Sequence, residues 1–198
     1  MLPTFPLGDK IFRWLVKVDE ETSRRVAAAR CQHCGGPLHR GDYPRKPRGG
    51  LLAVAGEVFT KRISLCCGWE GCRRRSTPPS VIFLGRRVYG GAAVVLAVMV
   101  AETAKRAREV RRETGVPPRT VGRWRGWWQK RFPRSRLYRE ERARFMPPLE
   151  RTRLPGSLIE RFERVGRCAE EVLVRVLGFI APLSTTSVTI GASFVRAE

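Results

Sequence analysis

The chain has 198 residues, of which 42% are apolar, so it can bury the core of one moderate domain or of two small ones. Lysine and arginine together number 39 against 18 acidic residues, which gives a formal net charge of +21, and arginine is far more frequent than lysine. Solvation of the protein surface alone does not explain an excess of basic residues this large. The excess indicates a polyanionic partner such as nucleic acid, because guanidinium groups bind phosphate oxygens in bidentate fashion.

The basic residues are concentrated in the middle of the chain. Residues 1–30 carry a net charge of +2, residues 31–90 carry +8, residues 91–155 carry +11 and residues 156–198 carry none. We therefore expect the two central segments to contact the nucleic acid.

The amino-terminal segment, residues 1–30, is predicted to be helical. Apolar residues recur at helical spacing between Ile11 and Val18, which predicts a helix over residues 9–18, and a second short helix is expected over residues 20–29. The segment does not resemble a signal peptide. We therefore expect a cytoplasmic, nucleoid-associated protein whose thiols remain reduced.

Cysteines arranged in two close pairs follow this segment. The expected ligands of one metal ion are Cys31, Cys34, Cys67 and Cys72. Two pairs at loop distance have the spacing of a structural zinc site, and thiolates suit Zn²⁺ because sulfur is a soft ligand. Gly35 and Gly36 are expected to let the backbone turn around the metal with positive φ. A zinc ion with four protein ligands has no open position for water, so the site is expected to stabilise the fold without catalysing a reaction.

The third ligand has two candidates, because Cys66 and Cys67 are adjacent. Alternation along a predicted strand over residues 61–67 places them on opposite faces, and Cys67 is preferred because it forms the more compact pair with Cys72. Histidine could also replace a cysteine, with His33 and His39 as the candidates. Disulfides are the remaining alternative, and reduced thiols in the cytoplasm favour the metal.

Residues 31–80 are predicted to form a zinc ribbon, which is a small antiparallel hairpin carrying two cysteine knuckles. Glycine and proline between the knuckles indicate a loop, and the apolar runs at residues 51–54 and 58–65 indicate the two strands. The arginines that directly follow the last ligand are expected to contact DNA: Arg73, Arg74 and Arg75.

Residues 88–155 are predicted to form a helix-turn-helix module. The longest apolar run, residues 88–101, is shorter than the ~20 residues that span a bilayer, so we expect it to form a buried helix. A second helix, over residues 105–113, is expected to stop before Gly115, and Pro118 is expected to open the next one.

The helix after this turn, residues 118–132, is the predicted recognition helix. Val121, Trp124 and Trp128 recur at helical spacing and are expected to face the core. Trp127 is expected to cover the core beside Trp128, with stacking on a base as the alternative. The residues expected to contact DNA face outward near the start of the helix or lie further along it: Arg119, Thr120, Arg123, Arg125, Lys130 and Arg131.

The tail, residues 156–198, carries no net charge and is not expected to contact DNA. Ser157 and Glu160 have the spacing of a capping box, and an apolar stripe over residues 157–180 predicts an amphipathic helix. We expect this helix to pack on the chain's own core, with homodimerisation or docking on a transposase or recombinase subunit as the alternative. Cys168 is expected to be a small buried apolar residue.

Together these motifs resemble a known kind of protein. The paired zinc knuckles, the sequence Cys72-Arg-Arg-Arg and a helix-turn-helix with Thr120-Val121-x-Arg123-Trp124 are similar to the DNA-binding heads of bacterial insertion-sequence transposases and to small transposon-encoded accessory proteins. The resemblance covers residues 31–132 and implies recognition of duplex DNA at transposon ends or target sites. Such transposases also carry a nuclease domain with metal-binding carboxylates, whereas the last aspartate of this chain is Asp42, so the resemblance does not extend to catalysis.

The expected fold is α+β, with a zinc ribbon followed by an α-helical helix-turn-helix module and a carboxyl-terminal amphipathic helix. The expected function is that of a zinc-containing, non-enzymatic DNA-binding protein of a mobile element, with an accessory or targeting role in transposition or recombination. An RNA-binding zinc-ribbon protein and a DNA-binding transcriptional regulator are the alternatives.

Overall fold

The fold combines short antiparallel strands with helices, in agreement with the predicted α+β class. The computed structural model describes residues 9–45, 61–84, 90–100, 108–112 and 115–186. In chain order, helices α1 to α6 are Asp9–Ala28, Gly91–Val100, Pro118–Gly126, Arg136–Glu141, Gly156–Glu163 and Ala169–Ile180. Strands β1 to β5 are Leu38–Arg40, Tyr43–Pro44, Lys61–Arg62, Leu65–Cys67 and Arg75–Ser76. Residues 108–112 are also helical.

Helix α1 is continuous, so the prediction of two short helices before the first cysteine was wrong. It buries Ile11, Leu15 and Val26 along one face, at helical spacing. A second helix over residues 20–29 would begin with Asp19 as its cap. The helix continues through Asp19 because this side chain does not act as a cap. Asp19 is buried instead, and its Oδ1 accepts a hydrogen bond from the backbone N–H of Val81 at 2.7 Å.

Two small antiparallel sheets surround the cysteines. In the larger sheet β4 lies between β1 and β5, with Leu38 opposite Cys67 and Cys66 opposite Arg75. In the smaller sheet β2 pairs with β3. The strand predicted over residues 51–54 and the first part of the run 58–65 lie outside the described residues.

The predicted strand before the second knuckle is interrupted in the middle and forms β3 and β4. The interruption coincides with Ser64, whose carbonyl accepts the N–H of Gly41 at 2.8 Å and whose N–H reaches Asp42 Oδ1 at 3.2 Å. These bonds tie Ser64 to the loop between β1 and β2. The expected alternation of faces therefore holds only within β4, where Leu65 and Cys67 are buried.

The turn before α3 has the local features that the sequence predicts. Gly115 has φ of +68°, and its N–H donates to the carbonyl of Arg111 at 2.8 Å, which ends the preceding helical segment. Val116 is fully buried, and Pro118 stands in the first turn of α3. The buried helix predicted from the apolar run 88–101 corresponds to α2, Gly91–Val100.

Helix α3 buries the predicted apolar face but ends earlier than expected. Val121, Trp124 and Trp128 are buried, and Trp128 has no exposed surface. The chain continues from Gly126 as a π turn over Trp127–Arg131 and a 3-10 turn over Phe132–Arg134. The ring of Trp127 packs edge-on against Trp128 with centroids 4.9 Å apart, in agreement with its expected place at the core.

The apolar tail packs on the chain's own core, as expected, but as two helices. Leu158 of α5 and Val176 of α6 have no exposed surface, whereas Val165 between the helices is 55% exposed. The capping-box prediction was wrong, because Ser157 lies inside α5 and its hydroxyl donates to the carbonyl of Glu150 at 2.8 Å. Cys168 is exposed, not buried, because it immediately precedes α6 in extended conformation.

One continuous hydrophobic core contains side chains from α1, α2, α3, α5 and α6. Helix α2 is buried on all sides, and an added Cβ at Gly91 would lie only 3.0 Å from Leu177 of α6. Within the described residues, none of the helices is both long enough and apolar enough to cross a membrane.

Candidate metal centre and basic surface

Four cysteine sulfurs converge between the end of α1 and the end of β4. They belong to Cys31, Cys34, Cys67 and Cys72, and all lie within 4.8 Å of one another. The sulfurs of Cys31 and Cys72 are 3.8 Å apart, and those of Cys34 and Cys67 are 3.4 Å apart. These four residues could hold a metal ion.

The first knuckle begins where α1 ends. Arg30 has φ of +63°, which turns the chain out of the helix, and its guanidinium Nε donates to the carbonyl of Gly35 at 2.6 Å. Within the knuckle, the N–H of Gly35 donates to the carbonyl of Cys31 at 2.7 Å, and the N–H of Cys31 donates to the carbonyl of Gly36 at 2.9 Å. The backbone therefore closes into a tight loop that points both sulfurs to the same side.

The second knuckle begins at the end of β4. The carbonyl of Trp69 accepts the N–H groups of both Cys72 and Arg73 at 3.0 Å, and Arg73 has φ of +46°. The N–H of Cys67 then donates to the carbonyl of Arg74 at 2.9 Å. The loop between Cys67 and Cys72 is thus fixed by its own backbone, and it presents both cysteines to the first knuckle.

The two glycines of the first knuckle have different roles. Gly35 has φ of +70°, as predicted, but Gly36 is not among the positive-φ residues, so that part of the prediction was wrong. Position 36 requires glycine instead because neighbouring side chains leave no room for a Cβ. An added Cβ there would lie 3.0 Å from Cys67 Sγ, 3.1 Å from Trp69 Cγ and 3.3 Å from Cys34 Sγ.

Cys67, and not Cys66, belongs to the sulfur cluster. Cys66 points to the opposite face of β4, where its Sγ lies 3.4 Å from the carbonyl of Arg73. Neither His33 nor His39 belongs to the cluster, and both are exposed. His39 packs over Gly68, where its Nε2 would lie 2.6 Å from an added Cβ.

The backbone of the first knuckle favours ionised sulfur. The N–H groups of His33 and Cys34 lower the pKa of the Cys31 thiol to about 7. The N–H of Gly36 stabilises the Cys34 thiolate, but burial and the neighbouring cysteines outweigh this effect and raise the pKa of Cys34 to about 12. Four sulfurs this close cannot all ionise without a cation, so binding of a metal ion releases protons and is weakened by acid.

A tetrahedral zinc ion fits this arrangement. Zinc–sulfur bonds of about 2.3 Å require sulfur–sulfur distances of about 3.8 Å, and the observed pairs need only small adjustments to reach that value. Four thiolates would fill the coordination sphere, so a bound ion would have no position for water or substrate.

Helix α3 carries four of the nine residues predicted to contact DNA, and the prediction for one of them needs correction. Arg119 and Arg123 are exposed and lie one helical turn apart on the face opposite Trp124. Thr120, expected to face outward, is only 6% exposed, because its position falls at the edge of the apolar face beside Val121. Its Oγ1 accepts a hydrogen bond from Arg123 Nη2 at 3.1 Å, so Thr120 holds an arginine in place.

The remaining basic residues of this segment lie beyond the first turns of α3. Arg125 is half-buried, whereas Lys130 and Arg131 are exposed on the π turn. Within the described part of the chain, Arg119, Lys130 and Arg131 form no ion pair with an acidic side chain. Their charge is therefore available to an external anion.

A second group of exposed arginines directly follows the sulfur cluster. Arg73, Arg74 and Arg75 are all exposed. Arg73 lies 3.8 Å from the carboxylate of exposed Glu70, and the guanidinium of Arg75 stands over the ring of Tyr43 at 5.7 Å from its centroid. An exposed ion pair at this distance contributes little, so these arginines remain accessible to phosphate.

Sequence reasoning did not single out Trp69, which is 57% exposed between the two ligands of the second knuckle. A large aromatic side chain in a short loop between two clustered cysteines has little access to the core, and that position in the sequence is the signal that could have found it.

The comparisons with known proteins found no match to this chain among protein-family models, curated proteins or solved structures.

Proposed function

We propose that the protein binds duplex DNA and that Cys31, Cys34, Cys67 and Cys72 hold one structural zinc ion. The zinc proposal rests on the convergence of four sulfurs at distances that suit a tetrahedral ion. The ion would join the end of α1 to the end of β4, which the short sheets alone hold weakly. It would stabilise the fold, since structural zinc contributes folding free energy directly.

The observation that carries the DNA proposal is the arrangement of α3. Arg119 and Arg123 project from one face of this helix, and Val121 and Trp124 anchor the opposite face in the core. A helix held in this way can enter the major groove, where arginine contacts guanine in bidentate fashion. Lys130 and Arg131 would then contact phosphates further along.

The wider role that we propose is accessory or targeting work in transposition or recombination. It is supported by the resemblance of the cysteine and helix-turn-helix motifs to transposase DNA-binding heads. The net charge of +21, in which arginine predominates, supports binding to a polyanion more generally.

The test is a salt titration of duplex DNA binding by the full-length, zinc-loaded protein. Each neutralised phosphate contributes about −0.9 to the slope of log K against log salt concentration, so several arginine contacts predict a steep decline. A flat response between low and physiological salt would exclude the proposal. Stronger binding to structured RNA than to duplex DNA in direct competition would favour the RNA-binding alternative.

The recognition role of α3 is tested separately, on a site selected from random duplexes. Arg123→Ala should lose about 1–3 kcal/mol on that site and relax discrimination, because it removes a base contact. Lys130→Ala should weaken binding to all sequences alike and reduce the salt slope by about one. Arg164→Ala is the matched control, since Arg164 is exposed on the tail, which carries no net charge and is not expected to contact DNA. Equal behaviour of Arg123→Ala and Lys130→Ala would exclude base recognition by α3.

A further inference from the structure

The second knuckle exposes a rigidly held aromatic side chain. Trp69 is 57% exposed, although a tryptophan side chain is ordinarily well buried. Its backbone is fixed on both sides: its carbonyl accepts the N–H groups of Cys72 and Arg73, and the N–H of Gly68 donates to the carbonyl of Pro37 at 2.8 Å. The loop therefore fixes the backbone from which the indole projects.

The indole also rests on the first knuckle. An added Cβ at Gly36 would lie 3.1 Å from Trp69 Cγ, so the inner edge of the ring contacts a backbone that is itself fixed beside the sulfur cluster. The rest of the ring has no described side chain stacked on it, within the ring contacts and cation–π pairs of the described residues. A rigid aromatic surface of this kind binds a flat ligand at little cost in conformational entropy.

The charge around this surface indicates which flat ligand it suits. Arg73 and Arg74 follow Trp69 by four and five residues on the same loop, and both are exposed. Glu70 is the only acidic residue between Gly68 and Arg75, and its ion pair with Arg73 is long and exposed. A planar apolar surface on the same loop as two exposed guanidinium groups matches a nucleobase attached to its phosphates.

We infer that Trp69 stacks on an unpaired base of DNA, while Arg73 and Arg74 bind the adjoining phosphates. This inference rests on the proposed function. Inside a perfect duplex each base is already stacked on both faces, so only a strand end, gap or junction can offer a base to Trp69. The knuckle would therefore direct the protein to DNA with a duplex-to-single-strand boundary, with α3 on the duplex side.

The experiment compares a perfect duplex with the same duplex carrying a short single-stranded extension. The zinc-loaded, full-length wild type should bind the extended DNA more tightly. Trp69→Ala should weaken binding to the extended DNA by about 5- to 150-fold and leave binding to the perfect duplex unchanged within about twofold. Trp69→Phe should retain most of the preference, because it keeps an aromatic ring.

Trp14→Ala is the matched control. Trp14 is also exposed, at 37%, but lies on α1 and outside the knuckles, so its loss should not alter the preference for the extension. Zinc content and circular dichroism of each variant verify that it folds. Equal weakening of both DNAs by Trp69→Ala, or no weakening of either, overturns the inference.

A second measurement uses the wild type alone and so does not depend on the folding of any variant. 2-Aminopurine in the single-stranded extension should change its fluorescence on binding, because it stacks on the indole, whereas the same probe inside the duplex should not. An unchanged probe in the extension overturns the inference. Normal binding to the perfect duplex in that experiment would leave the proposed function intact, whereas failure to bind either DNA would contradict the proposed function itself.

Discussion

Replacing Gly36 with alanine should weaken metal binding, because the first knuckle has no room for the added methyl group. Its Cβ would lie 3.0 Å from Cys67 Sγ and 3.3 Å from Cys34 Sγ. Both sulfurs are proposed ligands, so neither can retreat without lengthening a bond to the metal. Overpacking of this kind costs about 1–3 kcal/mol. If the whole cost falls on the metal-bound state, the dissociation constant for Zn²⁺ rises about 5- to 150-fold.

Two further glycines of the knuckles separate crowding from backbone strain. Gly71→Ala adds the same methyl group to the second knuckle, where no atom lies within 4 Å of the new Cβ, so it should change stability by less than about 0.5 kcal/mol. Gly35→Ala meets no atom either, but Gly35 has φ of +70°, and the strain should cost about 1–2 kcal/mol.

The assay is competition for zinc against a chromophoric chelator at constant pH, with circular dichroism of each holoprotein as a measure of folding. Wild type and Gly71→Ala should bind zinc with equal affinity. Gly35→Ala and Gly36→Ala should both bind it more weakly. Equal zinc affinity in Gly36→Ala and Gly71→Ala would show that the spacing of the sulfurs does not depend on the glycine, and would refute the reasoning.

Three other predictions follow from the same structure. Cys67→Ser should abolish binding of one zinc per chain while Cys66→Ser retains it, as measured by metal analysis, because the Cys66 sulfur lies outside the cluster; retention of zinc by both would contradict the ligand assignment. Trp124→Ala should lower the free energy of unfolding by about 3–5 kcal/mol in denaturant titrations, since it removes a buried ring, whereas the exposed Arg119→Ala should leave it nearly unchanged. Burial raises the pKa of Asp19 from 3.8 to about 6, so the folded state binds more protons than the unfolded state between these values. The unfolding free energy of wild type minus that of Asp19→Asn should therefore fall as pH rises from about 4 to about 6. Paired unfolding titrations in which this difference rises over the same pH window would contradict the assignment.

The sequence was most informative where a local rule suffices. Ligand spacing identified the four clustered cysteines, and alternation along one short strand separated Cys67 from Cys66, because adjacent residues of a strand face opposite sides. The glycine turn at Gly115 and the start of α3 at Pro118 were also predictable, since positive φ and helix initiation depend on neighbouring residues alone.

The predictions failed where contacts outside the local sequence pattern decide the outcome. Ser157 has the spacing of a helix cap, but its hydroxyl donates a hydrogen bond to the carbonyl of Glu150 instead. Thr120 is buried because the buried face of α3 is wider than the spacing of Val121, Trp124 and Trp128 indicated. No local pattern could have revealed that Asp19 would accept hydrogen bonds from Ser80 and Val81, about sixty residues away.

This buried polar network explains how the cysteine module is joined to the helical core. Ser80 donates its hydroxyl to Asp19 of α1 and its N–H to the hydroxyl of Ser184 at 2.8 Å. Arg62 of β3 is also buried and donates to the carbonyl of Pro78. Burial raises the pKa of Asp19 and lowers that of Arg62, which means that burial disfavours the charged form of each side chain. Each buried group therefore depends on its hydrogen-bond partners to offset the cost of leaving water.

Such a network is satisfied in only one orientation of its elements, which fixes how the sheet packs on the helices. Helix α1 links the two regions directly, because Ile11 lies in the hydrophobic core and the helix ends at Ala28, three residues before the first proposed ligand, Cys31. Loss of the metal would release the carboxyl-terminal end of α1 while its amino-terminal half stayed anchored in the core. The proposed metal would thus serve the proposed DNA binding indirectly: it would hold Trp69 and the arginines of the second knuckle in a constant position relative to α3, so that both surfaces can contact one DNA molecule at once.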